Sequence, residues 1–126
     1  MKNKKDIEKK INKKLGLPFG KMRKITIAFD VDGTLLNNTE ESFIFVANER
    51  IRTLLITLSS FKNTKIIVWS GSGELWARQA GHALNLDKYV DKYASKTEHE
   101  RVKPDIAIDD IQDTAIGKIN LIVKEK

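Results

Sequence analysis

Apolar and polar positions alternate along the chain in blocks that predict strands. Residues 24–29, KITIAF, and 64–70, TKIIVWS, are short runs rich in β-branched residues, and both are too apolar for strands with one face in water. Weaker strands are predicted at 88–95, KYVDKYAS, at 104–109, PDIAID, and at 119–123, INLIV. Five strands are therefore expected, and the first two are expected to be buried on both faces.

Helical periodicity fills the intervals between these strands. From Thr39 to Leu58, apolar side chains recur at steps of three and four, with acidic residues in the first turn, which predicts an amphipathic helix. A second helix is predicted from Glu74 to Leu84 and a short third one from Ile111 to Lys118. This alternation predicts an α/β fold: a three-layer, Rossmann-like sandwich with a mainly parallel five-stranded sheet.

Length and composition limit the domain organisation. With 126 residues, of which 40% are hydrophobic, the chain is long enough for one domain with a core and too short for two ordinary ones. It has no cysteine, so disulfides and thiolate metal sites are excluded. No apolar run approaches the roughly 20 residues that cross a bilayer. We therefore expect a soluble, cytoplasmic protein that does not contact membranes.

The net charge of +6 is concentrated at the N-terminus. Residues 1–24 carry ten Lys or Arg and two acidic residues, a net charge of +8, whereas the remaining 102 residues carry −2. Three apolar residues of this segment recur as on one face of a short helix: Ile7, Ile11 and Leu15. The chain thus divides into a basic N-terminal helix or tail, 1–23, and a core domain, 24–126. Docking onto the core and contact with nucleic-acid phosphates are alternative roles for the basic segment.

Polar residues, in one case together with a glycine, follow four of the predicted strands. The carboxyl ends of parallel strands meet at one edge of a sheet, where such folds bind ligands. In chain order these residues are Asp30 and Asp32, Ser70 and Gly71, Lys96, and Asp109 and Asp110. Carboxylates from two strand ends can share a hard cation such as Mg²⁺, while a hydroxyl, backbone N–H groups and a lysine suit a phosphate.

With these motifs the sequence resembles the haloacid dehalogenase superfamily of phosphotransferases. The first motif of that family, Asp-x-Asp-x-Thr, is matched by DVDGT at 30–34, and the fourth, an acidic pair after a strand, by IAIDD at 106–110. The second, a strand that ends in Ser or Thr, is matched by IIVWS with Ser70, and the third is a lysine after the third strand. Together and in order, the motifs cover residues 25–113.

The resemblance implies a phosphatase that works through an aspartyl-phosphate. Asp30 is then the nucleophile that attacks phosphorus. Asp32 protonates the leaving oxygen and later deprotonates the attacking water. Ser70, Gly71 and Lys96 hold the phosphoryl group. Because side chains alternate along a strand, positions 30 and 32 point the same way, as this division of labour requires.

The resemblance also implies Mg²⁺ as the cofactor. The ion is expected to bind Asp30, the backbone carbonyl of Asp32, and Asp109, and to neutralise charge that would repel the substrate. Either Asp110 or Asp113 supports it. The alternative for Asp113 is a carboxylate at the start of a helix.

Two lysines compete for the third motif. Lys103 lies in KPD, and a lysine followed by proline is common in this motif of the family. However, Lys103 precedes the strand that ends at Asp109, and at about 3.3 Å per residue its Cα would lie roughly 20 Å from that end. Lys96 follows a strand instead. We therefore expect Lys96 in the site, with Lys103 as the alternative.

Four other conspicuous residues are interpreted as structural. His82 lies in the second predicted helix and His99 in a charged loop, and no second histidine stands at metal-ligand spacing from either. Trp69 alternates away from Ser70 and is expected in the core. Trp76 lies on the apolar face of its helix, where packing is favoured over base stacking.

No cap domain is expected over the site. Only 37 residues separate Asp32 from Ser70 and 25 separate Ser70 from Lys96, and helices fill most of both intervals. The site is therefore open unless a homo-oligomer covers it. Since the core domain is not basic, we favour a small phosphorylated metabolite, such as a sugar phosphate or a nucleotide, as the substrate.

Other functions remain as alternatives. One is a phosphatase for nucleic-acid or protein phosphates, which an open site and a basic tail would suit. Another is a non-catalytic adaptor that binds nucleic acid or protein through the tail. A third is a phosphoacceptor receiver domain, but its accepting aspartate belongs after the third strand, where this chain has Ala94 and Ser95.

Overall fold

Short strands and helices alternate along the part of the chain that the computed structural model describes, residues 23–37 and 45–124. The strands are Ile25–Asp30 (β1), Thr64–Ser70 (β2), Lys92–Ser95 (β3), Ile106–Asp109 (β4) and Ile119–Ile122 (β5). The α-helices are Glu49–Ser59 (α1), Glu74–Ala83 (α2) and His99–Val102 (α3). Single turns of 3₁₀ helix lie at Asp87–Tyr89, Lys96–Glu98 and Gln112–Thr114.

All five strands pair in parallel, in the order β3-β2-β1-β4-β5. The predicted α/β fold with a parallel five-stranded sheet is confirmed, and the described residues contain no cap domain. The chain steps from β1 to β2 to β3 and then returns to the far side of β1 with β4. The junction of β1 and β4 is thus a topological switch point, the place where open α/β sheets bind ligands.

The two faces of the sheet have separate cores. Leu55 of α1 and Ala77 of α2 belong to the larger core, together with Phe29 and Val68 from the sheet. On the opposite face, Val102 of α3 packs against a smaller cluster formed by Ala28, Ile67, Trp69 and Ala94. This distribution follows from right-handed crossovers, because β3 to β4 runs across the sheet in the opposite direction to the first two connections. Trp69 is fully buried, as predicted.

The predicted strands are found, with some ends displaced. The second strand has the predicted bounds, 64–70, and the first ends at Asp30. The third is shorter than predicted, because the chain first forms a 3₁₀ turn and Asp91 then accepts a hydrogen bond from the Ile66 N–H at 2.7 Å. The fourth begins at Ile106, two residues later than predicted.

Two helix predictions were wrong in extent, whereas the one at Glu74 is confirmed to within a residue. Helix α1 begins at Glu49 instead of Thr39, because Asn37 donates to the Val46 carbonyl and Asn48 to the Leu35 carbonyl, each at 2.8 Å. These bonds hold residues 45–48 beside the chain that follows β1. The first part of the predicted helix, 39–44, lies outside the described residues.

The helix predicted at 111–118 is reduced to the single turn Gln112–Thr114. The Ile111 N–H and the Thr114 hydroxyl both donate to the Asp109 carboxylate, so this segment wraps around that side chain instead of winding into a helix.

The basic segment at the N-terminus, including its three apolar positions, lies outside the described residues. In the part of the chain that the structure covers, none of the helices has the length and apolarity needed to cross a membrane.

Candidate active site

Two buried carboxylates meet where the central strands end. Residues Phe29 and Ile108 are partners in the β1–β4 pairing, so Asp30 and Asp109 follow on neighbouring strands at the same edge. Only 6% of Asp30 and 1% of Asp109 is exposed to solvent. Burial of a charged carboxylate is costly unless it is paired and hydrogen-bonded, so the surrounding groups decide whether both can be ionised.

The Lys96 ammonium group bridges these two carboxylates. Its Nζ lies 2.8 Å from Asp30 Oδ1 and 2.6 Å from Asp109 Oδ2. Lys96 begins the 3₁₀ turn after β3, and a capping box fixes that turn: Ser95 Oγ accepts from the Thr97 N–H, and the Ser95 N–H donates to the Glu98 carboxylate. A lysine two strands away from Asp30 is thereby directed across the end of β2.

The remaining carboxylate oxygens have hydrogen-bond donors of their own. Thr34, which is fully buried, donates from Oγ1 to Asp30 Oδ2 at 3.0 Å. Asp109 Oδ1 accepts from the Ile111 N–H at 3.0 Å and from Thr114 Oγ1 at 3.1 Å. These donors orient both side chains. Asp109 Oδ1 accepts from two of them, whereas each Asp30 oxygen accepts from one donor and keeps a lone pair for a further ligand.

A third carboxylate joins the cluster. Asp30, Asp109 and Asp110 each offer an oxygen, and these oxygens lie within 4.8 Å of one another. The group does not include Asp113, which is exposed in the turn at 112–114. Of the two alternatives for a supporting carboxylate, Asp110 is therefore the one that lies beside Asp30 and Asp109.

The cluster carries more negative charge than one lysine balances. Burial raises the pKa of Asp30 to about 7, and the Asp109 charge adds to the rise, although the bond and charge of Lys96 oppose it. Burial and a hydrogen bond with Asp109 raise the pKa of Asp110. Burial alone would lower the pKa of Lys96, but its bonds to Asp109 and Asp30 outweigh burial and raise it.

Three carboxylates against one ammonium group form a donor set that fits a hard divalent cation. Oxygen ligands from two or three aspartates, completed by water and a substrate oxygen, are what Mg²⁺ prefers. Such an ion would also offset the burial and the repulsion from Asp109 that raise the pKa values of Asp30 and Asp110.

Asp32 lies on the exposed rim of the site, not in the buried cluster. Its carboxylate accepts from Trp76 Nε1, which lies 3.2 Å from Oδ2 and 3.3 Å from Oδ1. Gly33, at a φ of 79°, lets the chain turn sharply between Asp32 and Thr34. Two carboxylates one residue apart thus have different surroundings, one buried beside a lysine and one open to solvent beside an indole.

Ser70 and Gly71 lie at the end of β2, at the same edge of the sheet. Ser70 is buried, is paired in register with Ser95, and accepts a hydrogen bond at Oγ from the Ser72 N–H at 3.0 Å. Gly71 is exposed, and a side chain there would meet no atom within 4 Å. The glycine that this loop needs is Gly73, which has a φ of 109° and precedes the first turn of α2.

Three residues considered from sequence are not members of the cluster. Lys103 is exposed in a left-handed conformation before Pro104, and Asp105 then bonds to Thr26 at the amino end of β1, so Lys103 is at the opposite edge of the sheet. His82 is exposed and bonds through Nδ1 to Asp87 at 2.9 Å, and His99 begins α3.

Sequence reasoning missed three contributors to the site. Thr34 lies in the DVDGT motif, but the motif predicts no role for it, and the helix predicted at 111–118 includes Thr114. The sequence predicts packing for Trp76, which also contacts Asp32. The pattern Ser-x-x-Glu at 95–98 is a recognisable capping signature that could have pointed to the turn holding Lys96.

No protein-family model matches the chain, and no curated protein matches it significantly. Function is therefore inferred from the chemistry of the site.

Proposed function

We propose that this protein is a Mg²⁺-dependent phosphomonoester hydrolase that forms an aspartyl-phosphate on Asp30. The observation that carries the proposal is the Lys96 ammonium group between Asp30 and Asp109, with Asp110 adjoining. A buried carboxylate that is held by a lysine and a threonine, at the switch point of an open α/β sheet, is suited to attack an electrophile there.

In the first step, an oxygen of Asp30 attacks phosphorus and the bond from phosphorus to the ester oxygen breaks. Asp32, on the rim, gives its proton to the departing oxygen, so an alcohol is released. In the second step, Asp32 takes a proton from water as that water attacks phosphorus, and the bond from phosphorus to Asp30 breaks. Inorganic phosphate leaves and both aspartates return to their initial state.

The other residues hold and balance charge. Lys96 keeps Asp30 available as a carboxylate and balances the oxygens of the transferred group, which Ser70 and the N–H groups of the following loop also bind. Mg²⁺, held by Asp30, Asp109 and Asp110 with the Asp32 carbonyl, would neutralise phosphoryl charge. Thr34 and Thr114 orient the buried carboxylates.

We favour a small phosphorylated metabolite as the substrate. The described residues contain no cap, so the site also admits the phosphate of a nucleic acid or a protein. The receiver-domain alternative is weakened by the strand order, because receiver sheets of the flavodoxin type follow 2-1-3-4-5 and this sheet follows 3-2-1-4-5.

The test is release of p-nitrophenol from p-nitrophenyl phosphate, with Mg²⁺ and with excess EDTA. Wild-type protein should be active only with Mg²⁺, and Asp30→Asn should lower kcat by about a thousandfold or more, because the covalent route is lost. Equal rates for wild type and Asp30→Asn would refute the proposal.

A further inference from the structure

Two aromatic side chains stand beside the general acid and base of the proposed reaction. The ring centroids of Phe45 and Trp76 are 5.2 Å apart, with the planes tilted by 31°. The Trp76 indole N–H reaches both oxygens of Asp32. Phe45 is 36% exposed, so an aromatic surface is open to solvent at this rim. We call these two side chains the Phe45–Trp76 patch.

The proposed chemistry brings the leaving group to this patch. Asp32 can protonate the departing oxygen only from hydrogen-bond distance, about 2.6–3.2 Å. Trp76 Nε1 is itself 3.2 Å from Asp32 Oδ2. The departing oxygen must therefore lie within about 6 Å of the indole nitrogen, which places the group bonded to it near the Phe45–Trp76 patch.

We propose that the Phe45–Trp76 patch is the leaving-group subsite and that it selects phosphomonoesters whose leaving group carries a flat aromatic ring, as a nucleoside does. This inference rests on the proposed function. Aromatic side chains gain from stacking on a base because every base has a π face. A bare polyol would rely on hydrogen bonds, which the ring of Phe45 does not supply.

Trp76 has a second role as a positioning residue for Asp32. One N–H that contacts both carboxylate oxygens restrains the position of the Asp32 side chain without entering the reaction. The substrate ring and the general acid are therefore held by the same indole.

Adenosine 5′-monophosphate and ribose 5-phosphate test the proposal as a matched pair, because they share the phosphate and the ribose and differ in the base. Wild-type protein should show a kcat/KM about tenfold or more higher for adenosine 5′-monophosphate, the size that stacking on a base contributes. Phe45→Leu should lower this ratio about fivefold. A ratio near one for wild type, or a ratio that Phe45→Leu leaves unchanged, overturns the proposal.

Phe61→Leu is the matched control. Phe61 is 54% exposed in the loop between α1 and β2, at the amino edge of the sheet, away from the site. This variant should keep both the activity and the substrate ratio of wild type. If Phe61→Leu also lowered the kcat/KM ratio, the change in Phe45→Leu would reflect general loosening of the fold, which would contradict a local subsite.

Trp76 variants separate the positioning role from the stacking role. Trp76→Phe keeps a ring but loses the N–H, so kcat should fall for both substrates while their kcat/KM ratio stays near that of wild type. Trp76→Leu loses both, so kcat and the ratio should fall together. If Trp76→Phe behaves like wild type in kcat, the positioning role is refuted.

A binding measurement distinguishes failure of this inference from failure of the proposed function. Calorimetric titration of Asp30→Asn protein in Mg²⁺ should give a Kd for adenosine 5′-monophosphate about tenfold below that for ribose 5-phosphate, and adding Phe45→Leu should reduce the difference. Such binding without turnover by wild type would sustain the subsite and refute hydrolysis. Turnover of both esters at equal kcat/KM would support hydrolysis and refute the subsite.

Discussion

Asp30 shows how a single buried carboxylate is tolerated and made reactive. The carboxylate lies at the end of an apolar strand, where desolvation disfavours its charge and raises its pKa to about 7. Lys96 and Thr34 each donate to one of its oxygens and offset part of that cost. A divalent cation would offset the rest of the cost of burying this negative charge.

Substitution of Lys96 should strongly lower both activity and stability. Lys96→Met leaves two buried carboxylates without their shared cation, so we expect activity to fall at least about a hundredfold and stability to fall by roughly 3 kcal/mol in the absence of metal. Lys103→Met, at the opposite edge of the sheet, is the matched control and should match wild type in both. Equal effects of the two variants, in phosphatase assays and urea unfolding, would contradict the assignment.

At the scale of elements, short turns at the strand ends do more for this site than the long helices. The capping box after β3 holds the turn that carries Lys96, and the segment after β4 wraps around Asp109. Both are single turns whose hydrogen bonds go to side chains. Loops placed by a rigid sheet commonly carry function for this reason.

The capping box should matter to both stability and activity. Ser95→Ala removes the acceptor of the Thr97 N–H, which should cost about 1 kcal/mol of unfolding free energy. Since the turn that holds Lys96 loosens, activity should also fall, though less than in Lys96→Met. Thermal unfolding and steady-state kinetics measure the two effects, and an unchanged kcat/KM would show that the box does not position Lys96.

Two glycines should differ sharply when changed to alanine. A Cβ at Gly117 would lie 2.7 Å from the Ala107 nitrogen and 2.9 Å from the Ile119 oxygen, backbone atoms of β4 and β5 that cannot move separately. Gly117→Ala should therefore destabilise the protein by about 1–3 kcal/mol. Gly71→Ala, with open space around its Cβ, should leave the unfolding midpoint within error of wild type. Comparable midpoints for both variants would contradict this packing.

At the scale of the whole molecule, strand order assembles the site. β1 and β4 are neighbours in the sheet although 75 residues, 31–105, lie between them in the chain, and Ile27 is the pairing partner of Ile106. Lys96 reaches the same point from β3 across the end of β2. The site needs the residues from all three strands together, so we expect it to form and to be lost together with the sheet.

Metal-free protein should lose stability as pH rises from about 4 to about 7. Asp30, with a pKa near 7 in place of 3.8, keeps its proton in the folded state where the unfolded chain has released it, so folded protein binds more protons in this interval. The raised pKa of Asp110 acts in the same direction. Thermal unfolding in EDTA should show a melting temperature that falls across this range.

Added Mg²⁺ should raise the melting temperature more at pH 8 than at pH 5, because it favours ionised carboxylates. Asp30→Asn should show a weaker pH dependence in EDTA. The lowered pKa values of Asp87, which accepts from Tyr93, and Asp105, which accepts from the Thr26 N–H, act below about pH 4, outside this range. Stability that rises from pH 5 to pH 8 in EDTA would contradict the expected linkage.

Much of the architecture is readable from local sequence, and the errors have a common cause. The strands at 25–30 and 64–70 and the helix at Glu74 follow from runs and periodicities within one segment. The helix prediction at 111–118 was wrong in extent because the Ile111 N–H and the Thr114 hydroxyl donate to the Asp109 carboxylate. The helix predicted from Thr39 begins late because Asn48 bonds to the Leu35 carbonyl.

The sequence by itself determined the alternation of strands and helices and the acidic strand ends, and it favoured Lys96 over Lys103 at the carboxyl edge, because runs, periods and residue counts are local quantities. Only the tertiary structure decided the strand order, the lysine bridge from Asp30 to Asp109, and the contact between Trp76 and Asp32. These depend on how distant elements pack and where their side chains point, which no spacing within a segment specifies.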